Sequence, residues 1–217
     1  MKVLVLGLPR TGTQSIADAL TQLGFGPIYH MREVGKNKHQ ALWIEAIDAK
    51  FEGVGKPWGR EEFEKMLAGF EGVADYPPAI FPAELIAAYP EAAIILSTRD
   101  EDGWYASMMS TLWHLHTSRP ADDPSPMNQL SRKYHGHCWG NDFPKNGRTC
   151  FREHNTLVRE ASKGRKFLDF QAKDGWVPLC EFLGVPVPEG VAFPRSDDWV
   201  EYKKMVEMQK QKQNAAE

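Results

Sequence analysis

Apolar positions come in short runs and helical stripes that alternate along the chain. Lys2–Gly7 is an apolar run rich in β-branched residues and closed by glycine, which predicts a buried strand. Behind it, Ile16, Ala19, Leu20 and Leu23 fall at i, i+3, i+4 and i+7, one face of a helix that Gly24 would stop. Pro27–Met31 predicts a second short strand. Leu42, Trp43, Ile47 and Phe51 predict one helix, and Phe63, Met66, Leu67 and Phe70 another. Gly72–Asp75 is a brief strand candidate ending at Tyr76-Pro77-Pro78, followed by a helix over Ala83–Ala88. Ala92–Thr98 is the clearest buried strand. A helix rich in aromatic residues and Met is expected from Asp102 to about His116. Ser118–Ser131 carries three prolines and two aspartates and reads as a loop. Arg152–Ser162 predicts a helix and Lys166–Phe170 a last strand. Trp176, Leu179, Phe182 and Leu183 form a final helical face.

Strands alternating with helices, opened by a buried strand, predict an α/β fold, a three-layer sandwich around a mainly parallel sheet. A chain of 217 residues suits one domain, expected over 1–202, followed by a polar tail over 203–217 that forms an exposed helix or frays. With 42% hydrophobic residues it can fill a core, which excludes wholesale disorder. The net charge of −3 argues against a general nucleic-acid binder, though not against a local basic pocket. No run approaches the roughly 20 apolar residues of a membrane span, and Val3–Leu6 is too short for a signal-peptide core. Cys138, Cys150 and Cys180 are an odd, widely spaced set that suits reduced thiols in the cytoplasm. The sequence leaves oligomeric state, a homodimer included, open.

The segment between the first strand and first helix, Gly7-Leu-Pro9-Arg10-Thr11-Gly12-Thr13-Gln14-Ser15, has the Gly-x-x-x-x-Gly spacing of a phosphate loop. There, successive backbone N–H groups curl around an anion at a helix N-terminus. A nucleoside triphosphatase would continue with Lys-Ser/Thr, for the terminal phosphates and magnesium. Thr13-Gln14 stand there instead, which disfavours ordinary ATP or GTP hydrolysis, while Arg10 offers a bidentate cation inside the loop. A plain glycine-rich turn with Thr13 capping the helix would satisfy the same spacing.

Pro9-Arg10-Thr11-Gly12-Thr13 resembles the 5′-phosphosulfate loop of sulfotransferases, and Ile94–Ser107 reproduces that family's second motif: a strand, an Arg (Arg99), and a Ser eight residues on (Ser107). The closest likeness is to a subgroup of short sulfotransferase-like proteins widespread in fungi and other eukaryotes. It extends through Tyr29-His30-Met31, Ala74-Asp75-Tyr76-Pro77, Asp174–Pro188 and Phe193-Pro-Arg195. The resemblance implies a P-loop NTPase-like sulfotransferase fold and use of 3′-phosphoadenosine 5′-phosphosulfate (PAPS) without a metal. It also implies transfer of a sulfuryl group to a hydroxyl or amine of a small-molecule acceptor. It assigns Pro9, Arg10, Thr11, Gly12, Thr13, Gln14 and Ser15 to the phosphosulfate, Arg99 and Ser107 to the 3′-phosphate, and Arg195 as a further reach to that phosphate. The chain departs from better-known members at Ser15, where many carry Trp, and at Arg10, where many carry Lys.

Sulfuryl transfer resembles phosphoryl transfer in needing position and charge stabilisation, supplied here by Arg10 and the loop amides, plus a base for the acceptor's proton. Asp75, after a short strand and before a turn, sits where open α/β sheets place ligands and is the preferred base, with His30 the competitor. An Asp in that context also caps turns, and a His there is often a hydrogen-bonded rim residue. The histidines and cysteines at 114, 116, 135, 137, 138, 150 and 154 fit no standard zinc spacing and are expected to line or gate the acceptor pocket. Two other readings share these residues. The resemblance to members of fungal natural-product pathways implies, as a second reading, a non-sulfonating cyclisation or dehydration, in which Asp75 or His30 would serve as acid–base group. A non-catalytic nucleotide- or anion-binding protein is the third.

Overall fold

Side-chain alternation in the strands sets the architecture. In β1 (Val3–Val5), Val3 and Val5 face one side of the sheet, while Leu4 and the following Leu6 face the other. β4 (Ala93–Ser97) repeats this, with Ile95 on the first side and Ile94 and Leu96 on the second. A strand buried on both faces needs a layer on each, which forces the three-layer arrangement. The computed structural model describes residues 1–120, 122–200, 202–205 and 208.

Five parallel strands run in the order β2-β3-β1-β4-β5, where β2 is Ile28–Tyr29, β3 is Gly72–Val73 and β5 is Phe167–Phe170. Helix α1 (Thr13–Gln22) covers the first face. It packs Ile16, Ala19 and Leu20 against Val3 and Val5, in one cluster with Leu179 and Cys180 of the last helix (Trp176–Leu183). The opposite face carries the larger core, built around Trp43, Phe63, Phe81, Trp104 and Trp139. In chain order the intervening helices are α2 (Met31–Lys36), α3 (Gln40–Ile47), α4 (Arg60–Leu67), α5 (Pro82–Ala88), α6 (Glu101–Met108), α7 (His114–Ser118), α8 (Pro126–Trp139) and α9 (Phe143–Ala161), with Trp176–Leu183 as α10.

β1 lies between β3 and β4: the chain leaves β1 for β2 at one edge, steps back to β3, and then passes over β1 to β4. The strand order therefore reverses at β1, and a crevice opens beyond the carboxyl ends of β1, β3 and β4. Close packing there demands glycine: a Cβ on Gly7 would lie 2.0 Å from the Ser97 carbonyl oxygen at the end of β4. His154 on α9 ties down the same corner, donating Nε2–H to the Leu6 carbonyl at 2.7 Å. Burial holds its pKa down to about 4, so the ring stays neutral.

Several local expectations change. The strand expected over 27–31 is only Ile28–Tyr29, and Met31 opens α2. The helix expected over 102–116 is α6 and α7 joined by a π-helical stretch, Met109–Trp113. Within the proline-rich stretch read as a loop, α8 begins at Pro126, whose missing N–H costs nothing at a first helical position, with Ser125 accepting from Asn128 N–H. Pro144 plays the same part in starting α9 nine residues before the expected Arg152. Most of the tail expected over 203–217 falls outside the described residues, with Tyr202–Met205 helical.

Candidate active site

A cavity of about 570 Å³ opens over the carboxyl ends of the sheet, walled by the glycine loop, by His30 and Asp75 at the ends of β2 and β3, and by Arg99 after β4. The loop bends through Arg10 at φ 71° and Gly12 at φ 89°. Left-handed backbone is natural for Gly12; for Arg10 it is uncommon and is held by its surroundings. Thr11 anchors the bend from below, bonding the Leu8 carbonyl and Ser97 Oγ at 2.7 Å each, and does not line the cavity. Trp104 Nε1 donates to the Pro9 carbonyl at 2.9 Å, Arg99 to the Arg10 carbonyl at 3.2 Å, and Arg10 Nε to Ser107 Oγ at 3.1 Å. Two side chains of α6 and Arg99 just before it thus hold the loop, and Arg10, Arg99 and Ser107 converge although 97 residues separate the first from the last.

Asp75 and His30, read as rival bases, form one cluster. The parallel register pairs Tyr29 with Val73, so the residues following both strands emerge side by side. His30 Nε2 lies 3.3 Å from Asp75 Oδ2, and Thr13 Oγ1 donates to Asp75 Oδ1 at 3.1 Å. His30 Nδ1 accepts the Arg32 backbone N–H, which leaves the ring proton on Nε2, facing Asp75 and Thr13. Burial lowers the His30 pKa, partly offset by the Asp75 charge, so the ring is neutral at pH 7. Asp75 itself sits at φ 69°. The arrangement is a buried carboxylate held by two donors, each oxygen keeping a further lone pair.

The site has a feature that motif spacing did not suggest. Residues 196–199 lie across the glycine loop. Asp197 accepts from Arg10 Nη2 at 2.9 Å, Asp198 N–H donates to Gln14 Oε1 at 2.9 Å, and Ser196 N–H to Ser15 Oγ at 3.0 Å. Trp199 stands 6.0 Å from the Arg10 guanidinium. Burial opposes ionisation of Asp197, but Lys203 and Arg10 outweigh it and hold the carboxylate below its ordinary range. A carboxylate on Arg10, beside the loop amides, is a built-in stand-in for an oxyanion. The Asp-Asp pair after Arg195 was the available signal.

These geometries agree with what comparison with known proteins finds. A sulfotransferase domain matches residues 2–202. The chain belongs to the sulfotransferase family. It is similar to Ava biosynthesis cluster protein M of Aspergillus versicolor, 41% identical over 207 residues, covering 87% of this chain and 78% of that one. In this sulfotransferase-family chain, Ser15 bonds the covering segment, its Oγ accepting from Ser196 N–H. Pro9, Arg10, Gly12, Thr13, Gln14 and Arg99 line the cavity. Thr11, Ser15 and Ser107 stand just behind them, and Arg195 is exposed and does not reach the wall.

Of the histidines and cysteines expected at the acceptor pocket, only His135 lines it. His114 bonds Tyr202, His137 faces Glu52 on another surface, and His154 holds Leu6. Cys150 donates to the Cys138 carbonyl, and burial raises both thiols. Among the described residues no group of three His, Cys, Asp or Glu could hold a metal, and no helix is long and apolar enough to cross a membrane.

Proposed function

We propose that this chain transfers a sulfuryl group from PAPS to a hydroxyl or amine of a small organic acceptor. One observation carries the reading: a guanidinium already holding an oxyanion stand-in (Arg10 with Asp197) and a buried carboxylate (Asp75) share a single cavity. The residues present fit the cosubstrate. Arg10 and the amides around Gly12 suit sulfuryl and 5′-phosphate oxygens, and Arg99 beside Ser107 suits the 3′-phosphate. PAPS supplies a sulfuryl group on a phosphate leaving group. The protein contributes orientation, cationic stabilisation where charge develops, and a proton acceptor.

The proton acceptor is Asp75. His30 presents an N–H to it and spends its other nitrogen on a backbone donor, so no ring lone pair is free towards the cavity. His30 and Thr13 orient the carboxylate and leave one lone pair per oxygen for the acceptor's hydroxyl proton. The apolar wall of Met31, Leu112, Leu115 and Met127 suits an acceptor with a hydrophobic body. The relative's name, a biosynthesis cluster protein, supports a place in secondary metabolism.

Calorimetric titration with adenosine 3′,5′-bisphosphate tests the reading. Micromolar binding is expected, weakened at least tenfold in Arg99→Ala, about 1.4 kcal/mol. A well-folded wild type that does not bind the bisphosphate would sink the assignment and turn attention to acid–base chemistry at Asp75 on a metabolite. The covering segment adds a second expectation. Because the nucleotide must displace the Asp197 carboxylate from Arg10, Asp197→Asn should bind the bisphosphate about three- to tenfold more tightly, since surface-accessible ion pairs contribute about 1 kcal/mol. Unchanged or weaker binding would show that the segment does not compete for the subsite.

A further inference from the structure

The cavity that holds Asp75 is also lined by Leu112, Leu115, Met127, Tyr134 and His135, and Arg119 lines it too. Four arginines line the cavity: Arg10, Arg32, Arg99 and Arg119. Three have partners on the page. Arg10 pairs with Asp197, Arg32 with Asp18 and more distantly Asp198, and Arg99 with the Arg10 carbonyl and, at 3.8 Å, Asp100. Arg119 has neither an ion pair nor a hydrogen bond among the described residues. Asp123 is the nearby carboxylate with electrostatic reach to it, but its two oxygens accept from Ser125 N–H at 2.9 Å and Ser125 Oγ at 3.0 Å. Burial drives His135 down to about 2 and keeps it neutral, so it adds no second cation to the same space.

A guanidinium in a half-enclosed, largely apolar chamber is costly unless something pairs with it, and its planar fork is shaped for a carboxylate or similar oxyanion. The glycine loop already has its own cation in Arg10, and Arg119 belongs to a different element, at the end of α7, so a second anion site here answers to a different group. We infer that Arg119 binds an anionic group on the acceptor. The substrate class is then a small molecule with an apolar or aromatic body, a nucleophilic hydroxyl or amine placed at Asp75, and a carboxylate placed at Arg119. The inference rests on the acceptor-site reading above and assigns Arg119 as the residue that selects acids over neutral analogues.

The test is calorimetric binding of 4-hydroxyphenyl-alkanoic acids of two to four side-chain carbons against their primary amides. It is run with saturating adenosine 3′,5′-bisphosphate on wild type, Arg119→Gln and Arg119→Lys. The expected result is at least one acid bound tenfold or more tightly than its amide by wild type. That preference should be lost in Arg119→Gln and partly kept in Arg119→Lys, with bisphosphate affinity unchanged throughout. Equal binding of acid and amide, binding of neither, or a preference that survives Arg119→Gln would overturn the inference. So would a fall in bisphosphate affinity in Arg119→Gln, which would move Arg119 into the nucleotide site. Failure here with intact bisphosphate binding by wild type leaves the sulfotransferase reading standing. Acid preference without any bisphosphate binding would overturn that reading alone.

Discussion

Asp75→Asn should lower turnover by about 10²- to 10⁴-fold while leaving bisphosphate affinity within about twofold of wild type. The amide keeps the size of the carboxylate and can still accept from His30 Nε2–H or Thr13 Oγ1, but it cannot take the acceptor's proton. The measurement is release of adenosine 3′,5′-bisphosphate from PAPS, with 2-naphthol as a phenolic probe, beside calorimetry on the same preparation. His30→Gln serves as the contrast. It removes one orienting donor and should cost less, because Thr13 still fixes the other oxygen. If His30→Gln lost more than Asp75→Asn, the proton would go to the ring and the assignment of the base would reverse.

Arg10→Ala should lower turnover by about 10²- to 10³-fold, the range found when one preorganised donor to a developing charge is removed. Unlike Asp75→Asn, it should also weaken bisphosphate binding, because the guanidinium faces the anion in ground and transition states alike. Arg10→Lys should recover much of the binding and less of the rate, since a point charge replaces a planar fork that also donates to Ser107. Asp197 complicates the single variant: without Arg10 its carboxylate stays against the loop with Lys203 as its remaining cationic partner among the described residues. Arg10→Ala combined with Asp197→Asn separates the two effects. Binding that recovers in the double variant would trace part of the loss to Asp197 repelling the nucleotide. Turnover within tenfold of wild type in Arg10→Ala would remove Arg10 from the chemistry.

Much of this site could be anticipated because its parts are local. Pro9–Ser15 is one turn of chain, and its need for glycine arises where β1 ends against Ser97. Asp75 was visible because a short apolar strand runs directly into a turn. The relation between Asp75 and His30 was not visible. They are 45 residues apart, and only the parallel pairing of β2 with β3 brings them to 3.3 Å. The start of α8 was missed because prolines break helices inside them and begin them at their first turn, and composition does not say which position a proline will hold. Ser107, expected at the 3′-phosphate, has its hydroxyl engaged by Arg10.

From sequence alone follow the α/β class, the strand that opens it, the glycine loop behind that strand and the selection of Arg10, Asp75 and Arg99 as candidate site residues. Periodicity and glycine spacing are properties of neighbouring residues, so a linear reading captures them. The tertiary structure alone decides that Asp75 and His30 form one unit and that Asp197 covers Arg10. It alone decides that Arg119 lines the cavity without an ion pair or hydrogen bond among the described residues. Each is a matter of charge partners brought together by sheet register or by the return of the C-terminal segment. Distance along the chain carries no information about such pairs until the fold is closed.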